Sequence, residues 1–192
     1  MSTVEEIKET YNIIKKNKNS FALMNCLSEY PTNYKDLNLR FILRMKKIFS
    51  KASIGHSDHT EDIFSSISAV TLGATIIEKH VTLDKKNKGP DKDVSIDFND
   101  LSKMINQIRK LELAFGDKKF VHKNEWPIRK WAHRSIVTIK DVKKNEKVSL
   151  KNIWSKRPGT GIPSKNIPQI LGKKFKKDLR KDQILSWKDL VI

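Results

Sequence analysis

The feature that most restricts the fold is an alternation of short apolar runs with longer helical patterns along residues 3–115. Thr3-Val4-Glu5-Glu6 has the form of a capping box, and Val4, Ile7, Tyr11 and Ile14 follow at helical spacing, so a helix opens the chain and ends near Lys18-Asn19. Phe21–Cys26 is an apolar run of strand length closed by Ser28-Glu29-Tyr30-Pro31, and Leu37–Phe49 reads as a second amphipathic helix. Lys51–Gly55 is the next strand, stopped by His56-Ser57-Asp58-His59-Thr60; residues 61–72 are helical, and Ala74–His80 is a third strand. After a polar loop around Asn87–Asp91, Asp97–Phe115 is a long amphipathic helix with Leu101, Met104, Ile105, Ile108, Leu111 and Leu113 on or near its buried side. Strands and helices taking turns at this spacing predict βαβ units and a parallel sheet, either open and doubly wound or closed into a barrel.

The pattern then changes. Gly116-Asp117 ends the long helix, and 117–131 is a polar, lysine-containing stretch with Pro127 that reads as a linker. From Arg134 onward come short β-like runs, Ser135–Ile139, Lys147–Leu150 and Asn152–Ser155, punctuated by Asn145 and Arg157-Pro158-Gly159-Thr160-Gly161-Ile162-Pro163. The predicted organisation is an α/β domain over 1–116, a linker over 117–131 and a small β-rich domain over 132–192.

Charge and cysteine usage remove several function classes. The 39 Lys and Arg against 22 Asp and Glu give a net charge of +17, which invites a nucleic-acid partner. The basic pairs are scattered along the whole length, with no arginine-rich helix and no aromatic ladder, so a lysine-rich solvated surface is the better reading and no nucleic acid is expected. Cys26 is the sole cysteine, which excludes an intrachain disulfide or a cysteine-based zinc site and fits a reducing cytoplasm. No apolar stretch approaches the roughly 20 residues that span a bilayer, and the opening residues lack a secretory signal, so no membrane partner is expected.

The sharpest chemical feature is that two strands end in histidines, His56 and His59 after one and His80 at the end of the next. Carboxyl ends of parallel strands gather on one face, about 4.8 Å apart, so His59 and His80 can meet across sequence. Two neutral imidazoles with Asp58, Glu78 and Asp91 nearby would suit a divalent ion with open positions. Plainer roles stand beside this one. Ser57 could cap the following helix, Asp58 and Thr60 could be ordinary loop residues, and one of Glu78 and Lys79 should face a polar interior or an ion-pair partner. Tyr30-Pro31, Gly89-Pro90-Asp91 and Arg157-Pro158-Gly159 could each be no more than a turn.

Taken in order, five blocks resemble the sialic acid synthase family, which includes legionaminic and pseudaminic acid synthases. They are Cys26–Thr32, Gly55–Thr60, Leu72–Ala74 with Ile77–Asp84, Gly89–Asp91 and Lys156–Ile162, and they cover almost the whole chain. The resemblance implies the C-terminal part of a (β/α)8 TIM barrel followed by a small β-clip SAF (antifreeze-like) domain. It implies condensation of phosphoenolpyruvate with an N-acetylated amino sugar to a nine-carbon 2-keto acid, with phosphate released and a divalent metal, Mn2+ or Mg2+, required. On the matching positions it makes His59 and His80 the metal ligands, where the metal polarises the sugar aldehyde. It places Glu78 and Asp91 beside the reacting sugar, Ser57 on phosphoenolpyruvate, and Ser28 and Tyr30 on the sugar. Arg157 would bind the sugar in trans, from a SAF domain swapped over the partner barrel of a homodimer.

Segments 20–26, 51–55 and 74–80 match the family's sixth, seventh and eighth barrel strands. Strands one to five have no counterpart, nor do the family's phosphoenolpyruvate-binding lysines and an early glutamate, because a whole barrel takes about 250 residues. The expectation is an incomplete barrel that is inactive alone, or that pairs with a separate N-terminal barrel half. A free-standing SAF-type carbohydrate-binding module and a remnant without activity are the alternative readings.

Overall fold

The computed structural model describes residues 1–17, 19–86 and 88–191. Lys18 in the expected first helix end, Asn87 in the expected polar loop and Ile192 at the end of the expected second domain lie outside the described residues. The chain divides into two compact units, Met1–Gly116 and Asp117–Ile192.

The first unit opens on α1 (Val4–Ile14), started by a complete capping box in which the Glu6 N–H donates to Thr3 Oγ1 at 3.3 Å and the Thr3 N–H donates to Glu6 Oε2 at 2.6 Å. Then β1 (Ala22–Cys26), α2 (Phe41–Ile48), β2 (Ser53–Asp58), α3 (Phe64–Thr71), β3 (Ile76–Lys79) and α4 (Phe98–Ala114) follow in turn. The strands form one parallel sheet in the order β1-β2-β3, with Leu23 opposite Ile54, Asn25 opposite His56, His56 opposite Ile77 and Asp58 opposite Lys79.

Side chains alternate across a strand, so this register sorts the sheet into two faces. Leu23, Ile54 and Ile77 join Tyr11, Ile42, Met45, Phe49, Ala69 and Ala74 in the core under the helices. Met24, Gly55 and Ile76 form a row on the opposite face, where Ile76 is 40% exposed. The middle of that row requires glycine: a Cβ on Gly55 would lie 2.8 Å from the Ile76 carbonyl oxygen and also press on the Met24 thioether. α3 ends on Gly73 at φ +94°, the left-handed position that lets the chain turn straight into β3.

Two expectations change here. β2 runs to Asp58 instead of stopping at Gly55, because pairing on both sides carries the polar residues His56, Ser57 and Asp58 into the sheet. On α4, Met104 is buried while Ile105 is 45% and Leu113 88% exposed, since the core-facing stripe is Leu101, Met104, Ile108 and Leu111.

The second unit contains α5 (Glu125–Ala132), β4 (Ser135–Thr138), β5 (Ile153–Lys156), the short α6 (Ile167–Ile170), β6 (Lys174–Phe175) and β7 (Leu190–Val191). β4 pairs with β5 and β6 with β7, both antiparallel, and single bridges such as Val137–Ile184 and Val142–Leu179 tie the remaining loops together. Their inward residues, among them Ile136, Ile153, Ile162, Phe175 and Leu185, make one closed apolar core. Lys147–Leu150, expected as a strand, makes only a bridge from Lys147 to Lys174, because the Ser149 N–H donates to Asn152 Oδ1 at 2.8 Å and turns the chain.

Candidate active site

The candidate chemistry collects at the carboxyl ends of the three parallel strands. Ser57 and Glu78 are register partners on β2 and β3, and the Ser57 hydroxyl donates to Glu78 Oε1 at 2.6 Å. Ser57 therefore serves the front of the sheet and does not cap α3, whose first position has no side-chain cap.

His59 follows β2 and is 4% exposed. Its Nδ1 lies 2.8 Å from the Leu27 carbonyl oxygen, which can only accept, so Nδ1 carries the proton and Nε2 presents a lone pair. The Tyr30 hydroxyl donates to that lone pair at 2.9 Å, and the two rings stack with centroids 4.1 Å apart. His80, just past β3, brings its ring to 5.3 Å from His59 and sets Nδ1 3.5 Å from Asp91 Oδ2. The edge of Tyr30 meets the His80 ring at 5.7 Å. Partial burial, followed by the negative groups around it, raises the Tyr30 pKa above its ordinary 10.0.

The donor set fits a divalent cation. One imidazole has its tautomer set by a carbonyl, and the other faces a carboxylate, which is the arrangement that orients metal-binding histidines. Two nitrogens are what the pair supplies; no group of three or more His, Cys, Asp or Glu converges for a metal among the described residues. Ser28 sits near the end of β1 with its hydroxyl 4.0 Å from Cys26 Sγ.

Asp58, expected in a loop and near the cation, lies instead on the helix-covered face and is fully buried. Its Oδ1 accepts from the Thr60 N–H and hydroxyl, each at 2.8 Å, its Oδ2 accepts from Ser66 at 2.6 Å, and the Lys79 ammonium stands 3.4 Å away. Burial works against its charge, but the hydroxyl and backbone donors and Lys79 outweigh it and hold the carboxyl below its ordinary 3.8. Burial lowers the Lys79 pKa despite the partner carboxylate. One of Glu78 and Lys79 is expected to face a polar interior or an ion-pair partner, and Lys79 meets the second condition through Asp58. What the sequence hid is its identity, since a partner on a neighbouring strand leaves no mark in local spacing.

Arg157 belongs to the second unit. Its Nε donates to the Ala132 carbonyl at 3.1 Å, and its guanidinium lies over the Trp131 ring at 4.8 Å. Beside it, Trp126, Arg129, Lys130, His133 and Gly159 line an open groove of about 590 Å³.

Comparison with known proteins gives a coherent set. Residues 1–120 match the model of the NeuB family and residues 133–191 that of the SAF domain. The chain is 37% identical over 189 residues to the N,N'-diacetyllegionaminic acid synthase of Campylobacter jejuni, covering 96% of this chain and 56% of that protein. Among solved structures it is similar to the spore coat polysaccharide biosynthesis protein spsE of Bacillus subtilis, at 29% identity and TM-score 0.56, covering 100% of this chain and 59% of that one. It is also similar to the N-acetylneuraminic acid synthetase of Leptospira borgpetersenii, at 32% identity and TM-score 0.61, covering 67% of this chain and 45% of that one. The chain spans about half the length of the curated relatives it matches.

Proposed function

Because the chain belongs to the NeuB family and carries a SAF domain, we propose that it serves the condensation of phosphoenolpyruvate with an N-acetylated amino sugar, N-acetylmannosamine or a legionaminic-type precursor. A carbon–carbon bond forms between the phosphoenolpyruvate methylene carbon and the sugar aldehyde carbon, water adds at the phosphate-bearing carbon, and phosphate leaves. The observation that carries this reading is the meeting of His59 and His80, with rings 5.3 Å apart, at the strand ends that also present Glu78 and Ser57.

His59 and His80 would hold a divalent ion such as Mn2+ or Mg2+, which when bound would supply Lewis-acid polarisation of the aldehyde oxygen. The protein's own groups do the rest. Ser57 orients Glu78 through its 2.6 Å bond, leaving the other carboxylate oxygen of Glu78 for a proton on the sugar. Asp91 aims the His80 ring and stands beside the reacting sugar, while Tyr30 and Ser28 contact the sugar and Ser57 contacts phosphoenolpyruvate. Arg157 reaches the sugar in trans from a swapped SAF domain in a homodimer; alternatively, the chain completes its barrel with a separate N-terminal half. The domain reading that goes with this is a barrel portion over 1–116, a linker over 117–131 that includes all of α5 but its last residue, and a SAF domain over 132–192.

The test is phosphate release from phosphoenolpyruvate with N-acetylmannosamine or a 2,4-diacetamido hexose and Mn2+, by the chain alone and by the chain co-expressed with a NeuB-type segment carrying five preceding strands. Turnover only in the complemented sample is expected; none in either would defeat the proposal. The groove beside Trp126, with Arg129, Lys130 and His133 around it, favours one second reading, a carbohydrate-contacting role for the second unit, the SAF domain together with the α5 segment before it. Sugar-induced quenching of tryptophan fluorescence in the 192-residue chain, abolished by W126A, would support it.

A further inference from the structure

We propose that the buried Asp58–Lys79 pair is a positioning device: from the helix-covered face of the sheet it sets where Ser57, His59, Glu78 and His80 stand on the other. The inference rests on the reading above in which those residues hold cation and substrate. It assigns a role to two residues that touch neither.

The register supplies the logic. Asp58 lies between Ser57 and His59, and Lys79 lies between Glu78 and His80; Asp58 and Lys79 are themselves partners across β2 and β3. Strand alternation points the pair one way and its flanking residues the other. Drawing two such side chains together therefore locks the relative height and twist of both strand ends, and with them the four candidate residues.

The pair also clamps the turn after the strand. Asp58 accepts from the Thr60 N–H and hydroxyl at 2.8 Å each, while the Lys79 ammonium donates to the Thr60 carbonyl oxygen. Thr60 is thus gripped through both its backbone polar groups immediately after His59. His59 is held independently by Thr32, whose N–H donates to the His59 carbonyl at 2.9 Å, and by the Leu27 carbonyl on Nδ1. Leu27, Thr32 and Tyr30 thus anchor His59 directly, while the ion pair fixes the residue that follows it.

Stability alone is a poor reason for such an arrangement. Side-chain exposures of 0% for Asp58 and 2% for Lys79 mean that both charges have been stripped of water, and a packed apolar pair would hold two strands together as well or better. Donors from Ser66 and Thr60 fill the carboxylate's acceptors from fixed directions, which gives orientation that an apolar contact lacks.

The experiment compares the 192-residue chain with K79M, the charge-balanced D58N/K79M and the milder S66A. Two readouts are taken on each: the imidazole nitrogen shifts of His59 by NMR, which report its tautomer without metal, and Mn2+ affinity by electron paramagnetic resonance. The parent should show His59 protonated on Nδ1. K79M and D58N/K79M should keep dispersed amide spectra, lose that single-tautomer signature and bind Mn2+ about tenfold or more weakly, the range expected when outer-shell partners of metal ligands are removed. S66A should shift both readouts in the same direction by a smaller factor, and it decides the matter if the other two do not fold. A folded D58N/K79M or S66A with the parent's tautomer signature and Mn2+ affinity overturns the proposal. If the parent itself binds no Mn2+, the metal reading falls, and the tautomer readout alone still supports or overturns the positioning role.

Discussion

The two units satisfy their buried polar groups differently, and the contrast separates what holds a fold from what shapes a site. In the second unit the buried polar residues Ser135, Thr138, Asn152 and Asp189 are placed one by one, each answered mainly by a backbone group or within one turn. Asn152 donates to the Lys147 carbonyl at 2.9 Å, Asp189 accepts from Ser186 at 2.7 Å, and the Thr138 hydroxyl donates to the Arg180 carbonyl of the loop bridged beside it at 2.6 Å. The first unit gathers most of its buried polar residues into one patch, His56, Ser57, Asp58, His59, Thr60, Ser65 and Ser66, which bond to one another, as Thr60 and Ser66 do to Asp58, and to neighbouring strands and loops. Apolar packing follows the same division. The second unit closes a core whose members are all 3% exposed or less, whereas the first covers one face of its sheet and leaves Ile76 on the other 40% exposed. The better-packed unit is not the one that carries the strand-end cluster.

Core truncation gives the largest expected contrast. Phe175 is fully buried, so F175A should cost the second unit about 3–5 kcal/mol, while I76A on the open sheet face should stay within about 0.5 kcal/mol. Denaturant unfolding followed by signals from each unit checks this, and equal losses would erase the distinction.

The next effect is on cation binding. H59A or H80A should weaken Mn2+ binding on the order of 100-fold, beyond the loss expected for an outer-shell partner, and leave the second unit's melting unchanged. An affinity indifferent to both changes, read by titration calorimetry, would remove the chemistry from the first unit.

Acid should also tell the units apart. Burial lowers the His56 pKa below its ordinary 6.5, so between the folded value and 6.5 the unfolded chain binds the extra proton. The stability His56 contributes is therefore complete above about 6.5 and is lost as pH falls through the folded value. In the second unit Asp178, held below 3.8 by the Lys144 N–H and the Lys143 side chain, loses its contribution only under stronger acid. Amide protection, taken relative to the intrinsic exchange rate at each pH, should thus fall in the first unit before the second between pH 6.5 and 4; simultaneous loss would contradict the assignment.

The smallest effect sharpens the cluster itself. The Tyr30 hydroxyl and a cation compete for the same lone pair on His59, so Y30F should tighten Mn2+ binding by about fivefold, a hydrogen bond being worth about 1 kcal/mol net. A weakened affinity would mean instead that the tyrosine supports the bound cation.

Much of this architecture is written in local spacing. Apolar runs at strand length, the Thr3 capping box and the helical stripe through Leu101, Met104, Ile108 and Leu111 predict the elements, because backbone periodicity is a property of neighbours in sequence. The meeting of His59 and His80 follows from one further rule, that parallel strands end on one side.

What the tertiary structure alone decided is the phase of each strand relative to the next. Asp58 reads as a loop residue because nothing local says that β2 continues to it, and Lys79 names no partner until register sets it opposite Asp58. The proton on His59 Nδ1 is settled by a carbonyl 32 residues away, at Leu27. Sequence pattern specifies which face of an element is apolar; which charges meet across strands depends on how two elements are shifted against each other, and that shift is set by packing of the whole sheet.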